Sequence, residues 1–302
     1  MANGGLLDAG IMKRGGANAV NFTNNIKLES VTTTHTRDTI RITGIEGSLL
    51  ASRPGYIMFP DMSNPLAVTA DVDILLTGAH WNMGGTGDLT GFILRVIALD
   101  DGSGTVKFGV SMTGNRKRIP TSDTDTTASN VNLPDELIVD SSLSAEAWAV
   151  DIGYFRADFD DTGGAVEDLW QIQNGTDDVA LGSADGLISP YNFNYAGFSS
   201  DPSGGVAEFT QVGGLCHVSH RRTAGTSNAT NLDITLPLFS NAASDNTILV
   251  VDNGTTQNSA GLGRTGASSQ NLQVYKNLDE TVFTGSGSKN ATFALTYQVE
   301  GF

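Results

Sequence analysis

A two-residue rhythm of apolar side chains, repeated in short runs, constrains this chain more than any other feature. In "TVKFGVSM", Val106, Phe108, Val110 and Met112 fall on one side of an extended backbone, and Lys107, Gly109 and Ser111 fall on the other. That is the period of a half-buried strand. The preceding "FILRVIAL" and the glycine-containing "DDGSG" complete a predicted hairpin. "AWAVDIGYF" keeps the rhythm with Trp148, Val150, Ile152 and Tyr154, and "TFALTYQV" keeps it with Phe293, Leu295 and Tyr297, followed by Val299. Gly (36 of 302 residues) and dense Ser, Thr and Asn dilute the helix formers, so composition agrees with an all-β chain.

A chain of 302 residues has room for two modest domains. Residues 1–35 read as an extended, Gly- and Asn-rich N-terminal arm, a docking segment ordered when something holds it. Residues 36–185 read as an N-terminal β-domain, interrupted by the polar surface loop "PTSDTDTTASNVNLPDE". The stretch "QNGTDDVALGSADGLISP" marks a boundary, and 186–302 form a C-terminal unit with strands at "EFTQVGGLCHVSH", "NLDITLP", "NTILVVD", "NLQVYKNL" and "NATFALTYQVEGF". The expected fold is two β-sandwich or jelly-roll-like domains after an extended arm.

The net charge of −16 repels phosphate backbones, which argues against nucleic acid as a partner. A single cysteine forbids an internal disulfide. "MANGGLLDAGIMKRGG" lacks the apolar core of a signal peptide, and no run approaches the roughly 18 apolar residues of a membrane span. Synthesis in a cytoplasm without secretion or membrane insertion is expected.

The residues with most chemistry cluster in "LCHVSHRR". On a strand, Cys216 and His217 point to opposite faces, while Cys216 and His220 share a face about 13 Å apart. Zinc needs its ligands ~2.0–2.3 Å from one centre, so the cluster reads as a strand and not as a metal or thiol site. "GLGRTG" (Gly261 to Gly266) matches a dinucleotide fingerprint in spelling only, because no helix pattern follows it; it reads as a glycine-rich loop between strands. "DFDDTGGAVEDL" has Asp158, Asp160 and Gly163 where a calcium loop wants them, but Leu169 where the bidentate Glu belongs. A loop calcium near Asp158 and Asp160 is therefore the one cofactor reading, with a solvated acidic loop as the plainer one. No Gly-x-Ser-x-Gly elbow occurs and four scattered histidines order no triad, so a non-enzyme is expected. "NRKR", with Arg116, Lys117 and Arg118, is the one compact basic cluster; it reads as a solvated turn or a local docking point for an acidic partner.

Phe209, Val212, Gly213, Leu215 and Val218, then a small polar loop and Leu236-Pro237, resemble the C-terminal β-sandwich domains of tailed-bacteriophage fibre and spike proteins. The closing "TFALTYQV" strand is similar too. The resemblance covers the C-terminal unit and implies a non-enzymatic virion structural protein, homotrimeric, assembled in the host cytoplasm with tail or capsid proteins as further partners. It implies docking to the particle through the arm around Lys13 and Arg14 and through Arg116, Lys117 and Arg118. Loops near Asn253, Arg264 and Tyr275 would meet host-surface polysaccharide, three weak contacts gaining avidity together. The chain lacks the coiled-coil, collagen-like or β-helical shaft of long fibres, which narrows the implication to a short fibre or spike. Two rivals remain: a capsid decoration or head-fibre protein, and a stand-alone carbohydrate-binding protein.

Overall fold

Alternation at period two is realised as ladders of strands throughout the computed structural model. It describes residues 13–15, 19–21, 23–31, 38–61, 64–76, 81, 89–113, 116–131, 135–160, 169–172, 179–181, 184, 186–191 and 193–300. Two compact units divide the chain, Met1–Asp185 and Gly186–Phe302. Apart from single 3-10 turns at Thr121–Asp123 and Ala128–Asn130, every regular element among the described residues is a strand.

In the first unit, β1 (Lys27–Val31), β2 (Thr39–Thr43) and β3 (Val72–Leu75) form an antiparallel sheet. β1 falls within the stretch read as an arm; its backbone is extended and hydrogen-bonded into the ladder of this unit. Further upstream, Lys13–Gly15 pairs with Ala19–Asn21, and residues 1–12 lie outside the described residues. A second sheet contains β4 (Leu89–Asp100), β5 (Lys107–Ser111), β6 (Leu137–Val139) and β7 (Ala147–Asp160), side by side in the order β7-β4-β5-β6. The polar stretch between β5 and β6 carries Thr124–Asp125, which pairs in parallel with β6.

The β4–β5 hairpin turns at "DDGSG". Gly102 and Gly104 adopt φ of 78° and 81°, which side chains with a Cβ avoid. Asp101 ties the turn down. Its carboxylate accepts hydrogen bonds from Lys107 Nζ (2.7 Å), Ser144 N (2.7 Å), Ser144 Oγ (2.8 Å) and Ser103 N (3.1 Å). Burial alone would raise the pKa of this carboxyl, but the bonds, that from Lys107 foremost, hold it well below the usual range.

Two sequence expectations need correction here. β5 is not half-buried: Phe108, Val110 and Met112 are buried, and so are Gly109 and Ser111. Leu137 crosses Gly109 so closely that a Cβ there would come within 2.8 Å of its Cδ2. Leu143 adds a lid over the cluster of Ile97, Leu99, Ile119, Leu137 and Ala149 on that face. Tyr154 also leaves the face shared by Trp148, Val150 and Ile152. The register of β7 on β4 shifts between Asp151 and Gly153, and such a bulge turns every later side chain over. Phe155, Ala157 and Phe159 are buried in Tyr154's stead. Beside the bulge, Arg95 Nη1 meets Asp151 Oδ2 at 2.7 Å with both side chains buried.

The second unit comprises β8 (Ile188–Pro190), β9 (Ser203–Val212), β10 (Leu215–Thr223), β11 (Asp233–Ser240), β12 (Ser244–Asp252), β13 (Gly261–Thr265), β14 (Ser269–Tyr275) and β15 (Ser288–Gln298). One layer runs β8-β9-β10-β15-β12 and the other β12-β13-β14-β11. β12 belongs to both: residues 244–248 pair with β13 and residues 249–251 with β15. At the far side a Ser240–Val299 bridge and Glu300 N donating to Phe239 O (3.0 Å) join β11 to the end of β15. The sandwich is thereby closed like a barrel.

Its core meets between the layers. Phe209, Cys216, Val218, Leu295 and Tyr297 face Ile234, Leu236, Leu238, Leu272 and Val274, all buried. Each large apolar side chain so buried contributes roughly 1.5–3 kcal/mol. The Tyr297 hydroxyl donates to Leu238 O (3.0 Å) and accepts from Leu238 N (3.2 Å), stitching one layer to the other. "EFTQVGGLCHVSH" is two strands, since Gly213-Gly214 turns β9 into β10 with Gly213 at φ 55°. "GLGRT" is strand β13 and not a loop. Its glycines let neighbours close in: a Cβ on Gly261 would lie 2.6 Å from Val250 Cγ1 and 2.9 Å from Tyr275 O.

Candidate functional site

β10 alternates as strand geometry requires. Cys216, Val218 and His220 point into the core, and Leu215, His217 and Arg221 point out. His220 Nδ1 lies 2.7 Å from the Ala291 carbonyl, which can only accept, so Nδ1 carries the proton. Nε2 is then bare and accepts from the Tyr195 hydroxyl at 2.8 Å. Phe293 stacks on the imidazole at 4.9 Å between ring centres, and Phe193 meets it edge-on at 5.0 Å. Burial, helped by the nearby Arg222 charge and opposed by the Ala291 bond, pulls the pKa of His220 down to about 4. His217 lies on the other face, with Nδ1 2.9 Å from Thr296 Oγ1. The cysteine and the two histidines therefore share no centre, and His220 is a satisfied core histidine.

The opposite face of the same layer is the most distinctive surface of the second unit. Val206, Arg221, Thr292 and Leu249 form one row across four strands, and Val212, Leu215 and Gln298 form another. Between the rows lie two more, Glu208, Ser219 and Ala294, and Thr210, His217 and Thr296. Where β12 bends away, the face hollows into an open groove of about 500 Å³ lined by Val206, Glu208, Arg221, Leu249 and Thr292. Leu249 is 63% exposed, Val212 and Ile188 59%, Leu215 48% and Val206 42%. Ile188 pairs with Thr210 at the edge of this layer, so all five share the outer face. Among the described residues the only formal charges in these rows are Glu208 and Arg221, and neither side chain makes a hydrogen bond or ion pair there.

The residues singled out from sequence are distributed as follows. Arg116 is nearly buried, held by Asp123 at 2.5 Å and by Asp135. Arg118 pairs with Glu146 (2.6 Å) and lies over the Trp148 ring at 4.3 Å; Lys117 between them is exposed. The cluster's two arginines are thus neutralised by carboxylates 7, 19 and 28 residues away in sequence. Lys13 and Arg14 lie on the Lys13–Gly15 strand, and their side chains lie outside the described residues. Arg264 and Tyr275 come together: the guanidinium lies 5.9 Å from the ring centre, fixed by Asp245 (2.8 Å) and Glu280 (2.9 Å). Asn253 occupies a separate tight turn at φ 48° beside Gly254. Asp158 Oδ1 accepts from Gly91 N at 2.8 Å, while the side chain of Asp160 and residues 161–168 lie outside the described residues. Among the described residues no three His, Cys, Asp or Glu side chains gather as metal ligands.

Searched against protein-family models and curated proteins, the sequence matches none.

Sequence reasoning missed the outer face because it scored each strand for its inward residues alone. The signal was present: in "VAEFTQV" the outward positions hold Val206 and Val212, and in "LCHVSHR" the outward position holds Leu215. It also missed Lys289. This fully buried lysine donates to Ala229 O (2.9 Å) and to Asn231 O, between the rings of Phe198 and Phe283.

Proposed function

We propose that this chain is a non-catalytic structural subunit of a tailed-bacteriophage particle, a short homotrimeric tail-fibre or spike protein. It joins the particle through its N-terminal part and meets host-surface polysaccharide with its C-terminal unit. The resemblance that suggests the family rests on residues with defined structural work: Phe209 and Leu236 in the core, and Val212-Gly213 entering the β9–β10 turn.

The observation that carries the host-contact reading is the exposed patch around Arg264. A guanidinium held in place by Asp245 and Glu280 beside the Tyr275 ring offers fixed donors, acceptors and a flat apolar surface together. Sugar hydroxyls and ring faces are matched by that set. Individually weak contacts suffice when copies are joined.

Binding of the intact protein to a panel of immobilised bacterial surface polysaccharides tests this. Retention on at least one polysaccharide, reduced roughly tenfold by Arg264→Ala, is the expected result. Absence of binding across the panel, with binding to purified phage heads instead, would replace the reading with capsid decoration.

A further inference from the structure

We infer that the outer face of the β8-β9-β10-β15-β12 layer is where copies of this chain pack against one another around a shared axis. The inference deepens the homo-oligomer of the proposed function by assigning its contact surface. It does not depend on the patch around Arg264.

Three observations choose a second copy as the occupant. The first is charge. Copies carrying −16 each repel one another over most of their surface, yet this face carries one anion, Glu208, and one cation, Arg221. They sit on adjacent strands, with Val206 opposite Arg221 and Glu208 opposite Ser219, and among the described residues neither has a partner. A rotational axis that sets Glu208 of one copy against Arg221 of the next satisfies both in every copy. The second is apolarity: Ile188, Val206, Val212, Leu215 and Leu249 are all substantially exposed on this face. The third is size. Three strands with seven residues each and two with three, at about 4.8 Å by 3.3 Å per residue, give roughly 400 Å² per copy. The three faces of a trimer together then cover about 1,200 Å², the lower end of the range for a specific assembly.

The experiment is the solution mass of the full chain by light scattering and sedimentation, as wild type, Leu249→Asp, Glu208→Arg and the double variant Glu208→Arg/Arg221→Glu. The wild type is expected at a multiple of 31.6 kDa, three copies for the proposed trimer. Leu249→Asp and Glu208→Arg should each weaken association by roughly tenfold or more, and the double reversal should restore it. All three substituted sites are outward-facing, so circular dichroism should be the same for every variant. A wild type that sediments as one chain at about 100 μM, far above the Kd of a specific oligomer, overturns the inference. So does an oligomer indifferent to the substitutions, or a double variant no better than the single reversal. An indifferent oligomer would leave the proposed trimer standing with another contact face. Loss of polysaccharide binding by Arg264→Ala with an unchanged mass would separate the two surfaces.

Discussion

His220 shows how one buried side chain ties stability to pH. Its folded pKa is about 4, against ~6.5 for an unfolded histidine. Between those values the unfolded chain binds a proton that the folded chain refuses. Stability of the C-terminal unit therefore rises with pH through this window. The contribution is complete above pH ~6.5 and is lost as pH falls towards 4, amounting to roughly 3 kcal/mol. Amide hydrogen exchange at Phe293 and Leu295 should accelerate between pH 7 and pH 4.5 once corrected for intrinsic rate. His220→Gln, which keeps a donor and an acceptor but does not titrate, should abolish that extra acceleration. An unchanged pH dependence in the variant would assign the effect to other groups.

At the scale of elements, β13 is a strand because its glycines admit neighbours, not because its residues favour strands. Gly261→Ala would drive a methyl group against Val250 and the Tyr275 carbonyl. A loss of about 1–3 kcal/mol is expected in denaturant titration; no loss would mean that β13 can move aside. The closing strand was legible in the sequence, since Phe293, Leu295, Tyr297 and Val299 are all buried as their alternation requires. The β9–β10 reversal and the bulge in β7 were not. Period two is blind to a single inserted residue, and the apolar run "AWAVDIGYF" reads alike on either side of the shift at Asp151. For the candidate site the limit was pairing. Asp135 and Glu146 neutralise Arg116 and Arg118 from 19 and 28 residues away, a distance at which no local spacing rule operates. The outer face escaped notice for a related reason: its rows are assembled from four strands, and each strand alone offers one or two outward apolar residues.

At the scale of the whole molecule, each unit owns a core and a buried charged anchor: Asp101 with Lys107 in the first, Lys289 among backbone carbonyls in the second. Two unfolding transitions are expected in calorimetry. Asp101→Asn should lower only one and Lys289→Met only the other, each by the 1–3 kcal/mol typical of stranded buried partners. A single transition shifted by both would mean that the units unfold together. Within the second unit, β15 is synthesised after every other described strand and yet lies between β10 and β12. On the ribosome, β8, β9 and β10 emerge with no partner along one whole edge, and both layers wait for Ser288–Gln298. A prematurely terminated chain therefore lacks the strand that joins its layers, and the finished surface exists only on chains translated through that segment.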